Sequence, residues 1–254
     1  MPTPTTRATN AWLRRFHPSE EAPVRLFCLP HAGGSASYYF PVSRTLAPAV
    51  DVIAAQYPGR QDRRTEPCVD DVRRLADLVT AEILPWCDRP VALFGHSLGA
   101  TLGFEVALRL EAAGTTPLVL FASGRRAPSR PRENENVHLS PDARLLTTIR
   151  RMSGTDPAVL ADEELLRSVL PAIRADYKAA ETYRYTPGLP LTCPIEVLNG
   201  TEDPEVTDAE ARAWTTHTKA ACTFHTFRGG HFYLTDHAPE VINLIRTRLA
   251  AKTH

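Results

Sequence analysis

The sequence predicts an α/β fold, a mostly parallel sheet covered by helices on both faces. Two observations carry that prediction. Short apolar or β-branched runs alternate with amphipathic stretches along most of the 254 residues, and strands covered on both faces read as continuous apolar runs. One such run, Val91-Ala92-Leu93-Phe94, stops at Gly95-His96-Ser97-Leu98-Gly99; Leu98, Leu102, Val106 and Leu110 then return at near-helical spacing. Strand, sharp turn and helix follow one another there within a few residues.

The elements can be taken in chain order. Residues 1–22 are polar and proline-rich and are expected to form a loose arm. Residues 24–29 read as a strand ending at Pro30, and residues 52–56 as a second ending at Tyr57-Pro58-Gly59. A short helix is predicted between them over 38–46. The spacing of Val72, Leu75, Ala76, Val79 and Ile83 predicts a long helix over 69–86. Strands follow at 91–94, 118–122, 195–198 and 223–227. A helix over 236–249 closes the chain, with Val241, Ile242, Ile245 and Leu249 inward.

One segment breaks the alternation. Residues 125–193 contain no strand pattern, and helices are predicted over 139–152, 162–173 and 174–183. Ser140-Pro141-Asp142 and Asp156-Pro157 read as helix starts. A helical insertion leaving the C-terminal end of a strand emerges where such sheets bind ligands, so a lid is expected; extra scaffold is the alternative.

Composition narrows the function classes. The chain carries 29 basic and 29 acidic residues, so net charge gives no argument for nucleic-acid or membrane binding. Arginines cluster locally at Arg60, Arg63 and Arg64, at Arg125, Arg126, Arg130 and Arg132, and at Arg150 and Arg151. These are either solvated surface charges or a dock for an acidic partner. Five scattered cysteines, Cys28, Cys68, Cys87, Cys193 and Cys222, form no disulfide framework. No apolar segment approaches bilayer length, and the N-terminus has no apolar signal-peptide core. The expectation is one domain over 1–254, monomeric and cytoplasmic, with apparently complete ends.

Gly-x-Ser-x-Gly between a strand and a helix is the pattern of a nucleophile elbow. A serine hydroxyl is a weak nucleophile unless a base lies within hydrogen-bond reach and an acid orients that base. The chain offers both, in the order serine, acid, histidine. Asp203 lies in Asn199-Gly200-Thr201-Glu202-Asp203-Pro204, after one strand; His231 lies in Arg228-Gly229-Gly230-His231-Phe232, after the next. Ser97, Asp203 and His231 are therefore the candidate triad. Glu202, Glu205 and Asp208 stand close to Asp203 as alternatives. His96 is expected to pack away from the serine. The oxyanion needs two backbone N–H donors: Leu98, after the nucleophile, and Ala32, in Pro30-His31-Ala32-Gly33-Gly34-Ser35, are the candidates.

With these residues in hand, the chain resembles the type II thioesterases, the free-standing editing hydrolases of polyketide and nonribosomal peptide assembly lines. Five segments carry the likeness: Leu29-Pro30-His31-Ala32-Gly33-Gly34, Tyr57-Pro58-Gly59-Arg60, Gly95-His96-Ser97-Leu98-Gly99-Ala100, Leu170-Pro171-Ala172-Ile173-Arg174-Ala175-Asp176 and Gly229-Gly230-His231-Phe232. Arg228, where a proline is expected, and Arg151-Met152-Ser153-Gly154-Thr155, a loose version of the lid's glycine-rich stretch, depart from the pattern. The resemblance implies an α/β-hydrolase fold with a helical lid. It implies a substrate acylated on the phosphopantetheine arm of an acyl or peptidyl carrier protein, and no metal or bound cofactor. A general carboxylesterase or lipase, an acyltransferase, a chain-releasing domain of a larger protein, and a non-catalytic acyl-binding relative are the competing functions.

Overall fold

The computed structural model describes residues 11–133, 135–152 and 163–252. Among the described residues seven strands form one sheet: β1 (Leu13–Arg14), β2 (Arg25–Leu29), β3 (Asp51–Ala55), β4 (Val91–His96), β5 (Leu120–Ser123), β6 (Ile195–Gly200) and β7 (Cys222–Phe227). Their order is β1-β3-β2-β4-β5-β6-β7. Only β1 runs antiparallel to its neighbour; every other pairing is parallel.

The helices are α1 (Phe40–Leu46), α2 (Val72–Ile83), α3 (Leu98–Ala112), α4 (Asp142–Met152), α5 (Glu163–Thr182), α6 (Asp208–Arg212), α7 (Tyr233–Asp236) and α8 (Ala238–Ala250). Side chains alternate across a strand, so neighbours enter opposite layers. Phe27, Ile53 and Leu93 pack with α2 and α3 in one layer. Leu26, Val52 and Phe94 pack with α1 and α8 in the other. The two-sided covering expected from the continuous apolar strands is thus present.

Helix ends follow local chemistry. Asp71 caps α2 by accepting from the Arg74 N–H at 2.8 Å. A 3-10 turn at Leu84–Trp86, with Pro85 in it, follows that helix directly, so the stretch expected over 69–86 is α-helical only over its middle.

Three expectations need correction. The arm over 1–22 is not loose where it is described: Leu13 is buried and pairs with Ala55, and Arg15 forms a fork on the buried Asp51 at 3.1 and 3.0 Å. A two-residue strand leaves no alternation to read, so sequence pattern misses it. The helices expected over 162–173 and 174–183 are one continuous helix, α5, with Pro171 inside. The missing N–H of Pro171 is offset by packing, because Leu170 and Ile173 on its flanks bury against Leu145 and Ile149 of α4. Three of the nine arginines offered as a docking surface are internal. Arg60 is buried on Asp176, Arg63 bonds Glu66, and Arg126 is buried on Glu135. Residues 1–10, the glycine-rich Ser153-Gly154-Thr155 and the expected helix start at Asp156-Pro157 lie outside the described residues.

Among the described residues no helix is long and apolar enough to cross a membrane. All five cysteines are free thiols, with Cys28 and Cys193 buried. Cys28, Cys193 and Cys222 pack in or against the core, as their apolar neighbours predict.

Candidate active site

Ser97 stands between β4 and α3 with φ +55° and ψ −117°, a conformation that L-residues rarely adopt and that marks strained functional turns. The turn is held on both sides. The Ser97 N–H donates to the Ser123 carbonyl at 2.8 Å, and its own carbonyl accepts from Ala100 N–H at 3.0 Å. The flanking glycines are steric requirements. A Cβ at Gly95 would sit 1.9 Å from the Gly99 carbonyl oxygen, and one at Gly99 would sit 2.0 Å from the Leu29 carbonyl oxygen. Strand and helix pass too closely there for any side chain.

The acid and histidine loops are laced to each other. Thr201 N–H donates to the Phe227 carbonyl at 2.8 Å and Glu202 N–H to the Gly229 carbonyl at 2.9 Å. Gly200 permits this approach, since a Cβ there would lie 2.3 Å from the Gly230 oxygen. The lacing delivers Asp203 to His231: Oδ2 lies 2.8 Å from Nδ1, and both side chains are buried. Asp203 Oδ1 accepts from the Glu205 N–H at 2.8 Å, which fixes the carboxylate plane. Of the four nearby acids, Asp203 is the one at the imidazole.

Ser97, Leu98, His231 and Ala32 line one cavity of about 520 Å³. With Nδ1 engaged by Asp203, Nε2 is the ring nitrogen available for a proton from the serine. Ile149 of α4 and Ile173, Tyr177 and Glu181 of α5 form the cavity's outer wall, so the helical insertion covers the strand ends as a lid would. Arg125 also lines it. Its Nε donates to Thr101 Oγ1 at 3.0 Å and Nη2 to the Ala180 carbonyl at 3.2 Å. Burial pulls this guanidinium down to about 10, which leaves it charged at neutral pH.

His96 packs, as expected, but it does more than fill space. It is fully buried, its Nδ1 lies 2.9 Å from Ser123 Oγ, and Ser123 Oγ lies 2.6 Å from Tyr233 Oη. The His96 ring centroid is 4.9 Å from that of His231. Burial, and then the neighbouring His231 and His31, hold His96 well below the usual histidine range, so a neutral ring underlies the candidate base. Among the described residues, no group of three or more His, Cys, Asp or Glu side chains is placed to hold a metal ion.

A thioesterase domain model matches residues 24–249. The chain belongs to the thioesterase family. It is 50% identical over 240 residues to the thioesterase PikA5 of Streptomyces venezuelae, covering 94% of this chain and 85% of that one. It is also 50% identical over 243 residues to a probable cadicidin biosynthesis thioesterase of Streptomyces griseus, covering 96% of this chain but only 66% of that protein. Among solved structures, the type II thioesterase BorB of the borrelidin cluster superposes with a TM-score of 0.91 at 50% identity, covering 96% of this chain and 100% of the other. The likeness to type II thioesterases stated from five motifs is thus matched along nearly the whole chain, and the fold is that of the α/β-hydrolases.

Two side chains of this thioesterase received no role at the active site from sequence. Asp176 of α5 and Arg60 after β3 lie in motifs that carried the resemblance, and they meet beside the loop that holds Ala32. A signal existed, since a charged residue inside an otherwise apolar segment invites a partner. Which partner depends on residues 116 positions apart coming together.

Proposed function

We propose that this thioesterase hydrolyses acyl groups from the phosphopantetheine arm of acyl or peptidyl carrier proteins, clearing stalled or misprimed carriers of a polyketide or nonribosomal peptide synthase. The buried Asp203–His231 pair, with His231 and the strained Ser97 lining one cavity, carries this reading. Ser97 Oγ attacks the thioester carbonyl carbon while His231 Nε2 takes its proton. The tetrahedral oxyanion is held by the Ala32 and Leu98 N–H groups. The C–S bond breaks, His231 returns the proton to the departing thiolate, and an acyl-serine remains. Water, deprotonated by His231, attacks that ester; the acid leaves and Ser97 regains its proton. The sequence of steps draws on side chains, backbone and water alone.

Relatives from biosynthetic pathways, among them YbtT of the yersiniabactin NRPS/PKS pathway at 27% identity, support the carrier-protein reading. GrsT of Aneurinibacillus migulanus, a gramicidin S biosynthesis protein, is 34% identical over 241 residues, and PikA5 and BorB are each 50% identical. The wall chemistry bears on the acyl group. Ile149, Ile173 and Tyr177 share the cavity with Arg125, Arg144 and Glu181, a mixed lining that favours short or polar acyl chains over long lipids. Free thiols throughout fit a reducing compartment.

The test is a panel of acyl-loaded carrier proteins with the wild type and Ser97→Ala. Release of short acyl chains by the wild type, and its near-total loss in the variant, is the expected result. Activity close to wild type in Ser97→Ala overturns the nucleophile assignment. Faster turnover of matched oxygen esters than of thioesters supports the carboxylesterase alternative instead.

A further inference from the structure

The loop after β2 carries Ala32, and its shape is set by a tight turn. The Gly34 N–H donates to the His31 carbonyl at 2.9 Å. Gly33 has φ +76°, while Ala32 is not among the residues of positive φ. That combination is a type II turn, which requires left-handed backbone at its third residue. Types I and II differ by a flip of the central peptide, here the one joining Ala32 to Gly33. A side chain on that peptide's N–H selects between them.

Asp176 is that side chain. Its Oδ2 accepts from the Gly33 N–H at 2.7 Å. The carboxylate is itself gripped by Arg60, with Nη1 on Oδ2 at 2.8 Å and Nη2 on Oδ1 at 2.9 Å. Arg60 Nη1 also donates to the Gly34 carbonyl at 3.0 Å. Asp176 is 1% exposed and Arg60 is 6% exposed, so the pair is protected from solvent and its geometry is fixed by a two-pronged fork. One helical turn before Asp176, Ile173 reaches the same glycine: a Cβ on Gly33 would lie 2.8 Å from Ile173 Cγ1. Neighbouring residues organise the arginine. Tyr57 lies under its guanidinium at 5.1 Å and donates its own hydroxyl to the Pro30 carbonyl at 3.1 Å. Tyr57 and Arg60 of the Tyr57-Pro58-Gly59-Arg60 segment thus both serve the loop after β2.

We propose that Asp176 and Arg60 are positioning residues for the oxyanion hole, and that the lid helix α5, by seating Asp176 on the Gly33 amide, holds the loop in the turn that aims the Ala32 N–H. The inference rests on the serine-hydrolase reading above. The same helix supplies Ile173, Tyr177 and Glu181 to the cavity wall. Acyl recognition and oxyanion stabilisation are therefore mechanically one unit, and a displaced α5 loses both. A carboxylate beside an oxyanion site is unfavourable if left bare; the Arg60 fork neutralises it, so the turn gains an acceptor without a net negative charge.

The test compares wild type, Asp176→Asn, Arg60→Lys and the double variant Arg60→Met with Asp176→Leu, which leaves the Gly33 N–H without its acceptor. Three quantities are read at a temperature where each protein is folded: kcat and KM on a small acyl thioester, inhibition by a trifluoromethyl ketone that forms a tetrahedral adduct on Ser97, and the unfolding midpoint. Losing an oxyanion donor outright costs about 10²–10³ in kcat, so misaiming one should cost on the order of 10–100-fold. Asp176→Asn is expected to lose kcat and ketone affinity by the same factor, with KM within about twofold. Arg60→Lys, which keeps the carboxylate but not the fork, should fall between it and wild type. The double variant removes the pair without stranding a buried charge; it should recover stability but not kcat. If kcat and ketone affinity return along with stability in the double variant, the pair is structural only and the proposal fails. If Asp176→Asn does not fold, Arg60→Lys decides: kcat and ketone affinity within twofold of wild type overturn the proposal. Wild type that forms no ketone adduct contradicts the serine-hydrolase reading instead, which keeps the two failures distinct.

Discussion

His231 Nδ1 lies 2.8 Å from Asp203 Oδ2, with the carboxylate side chain wholly buried. A carboxylate there fixes which ring nitrogen carries the proton and stabilises the imidazolium that forms during turnover. Asp203→Asn keeps the shape but presents an amide N–H to Nδ1 and favours the wrong tautomer. The expected result is a fall in kcat of about 10³–10⁴-fold, with little change in the unfolding midpoint. Steady-state kinetics on a carrier-bound or small thioester, paired with thermal melts, check it.

The elbow glycines allow sterics to be separated from backbone conformation. At Gly99 an added methyl would meet a backbone carbonyl at 2.0 Å, whereas at Gly114, with φ +84°, nothing lies within 4 Å. Gly114→Ala should therefore cost only the left-handed penalty, about 1–2 kcal/mol. Gly99→Ala must move β2 or α3 and should cost more than about 3 kcal/mol, with loss of activity. Urea titration of the two variants gives the comparison; equal destabilisation would falsify the close-approach explanation.

Much of this was legible in the sequence because its signals are local. The strand–turn–helix around Ser97, the glycines that flank it and the post-strand loops holding Asp203 and His231 each announce themselves within about ten residues. The short β1 does not, since Leu13 and Arg14 have meaning only beside Ala54 and Ala55. The arginine clusters misled for a related reason. Residue type gives charge but not partner, and Arg126 finds Glu135 while Arg60 finds Asp176 only in three dimensions. Pro171 reads locally as an obstacle to a helix, yet the contacts of Leu170 and Ile173 carry α5 through it.

The corrected arginine map changes what a charge-reversal experiment reports. Arg126 is buried on Glu135, so Arg126→Glu places two carboxylates together and should destabilise the fold by several kcal/mol, on the order of 3–5. Arg130 in the same cluster is exposed. If an acidic carrier docks at this rim, Arg130→Glu should slow turnover of acyl-carrier several-fold at low salt and leave a small thioester unaffected, with the difference vanishing at high salt. Equal rates on acyl-carrier at low salt remove this rim from the docking surface.

Ser123 joins two buried groups, His96 Nδ1 at 2.9 Å and Tyr233 Oη at 2.6 Å. Ser123→Ala leaves both short of a partner beneath the His231 ring. An unsatisfied buried polar group costs about 1–3 kcal/mol, so the unfolding free energy should drop by that order. The backbone carbonyl of Ser123, which holds the Ser97 N–H, is retained, so the elbow should keep its shape and most of kcat should survive. Denaturant titration and kinetics on one preparation separate the two effects.

His217 provides a pH dependence outside the candidate site. It is 1% exposed, packed against Phe104, Tyr185 and Trp214, with Nε2 2.8 Å from Ser129 Oγ. Burial pulls its imidazole down from 6.5 to about 4. The folded state therefore holds this ring neutral where the unfolded chain would protonate it. Between pH 6.5 and about 4 the unfolded state binds more protons, so stability falls as pH falls through that window and is fully present above it. The full shift corresponds to a loss on the order of 3 kcal/mol. His217→Leu, which removes the titrating group and keeps an apolar side chain against the three aromatic rings, should flatten the decline across that window. Urea unfolding of wild type and variant at pH 7.5 and pH 5 measures it. Parallel losses in the two proteins would assign the acid sensitivity to another group, for which the buried His96, shifted in the same direction for the same reason, is the next to test.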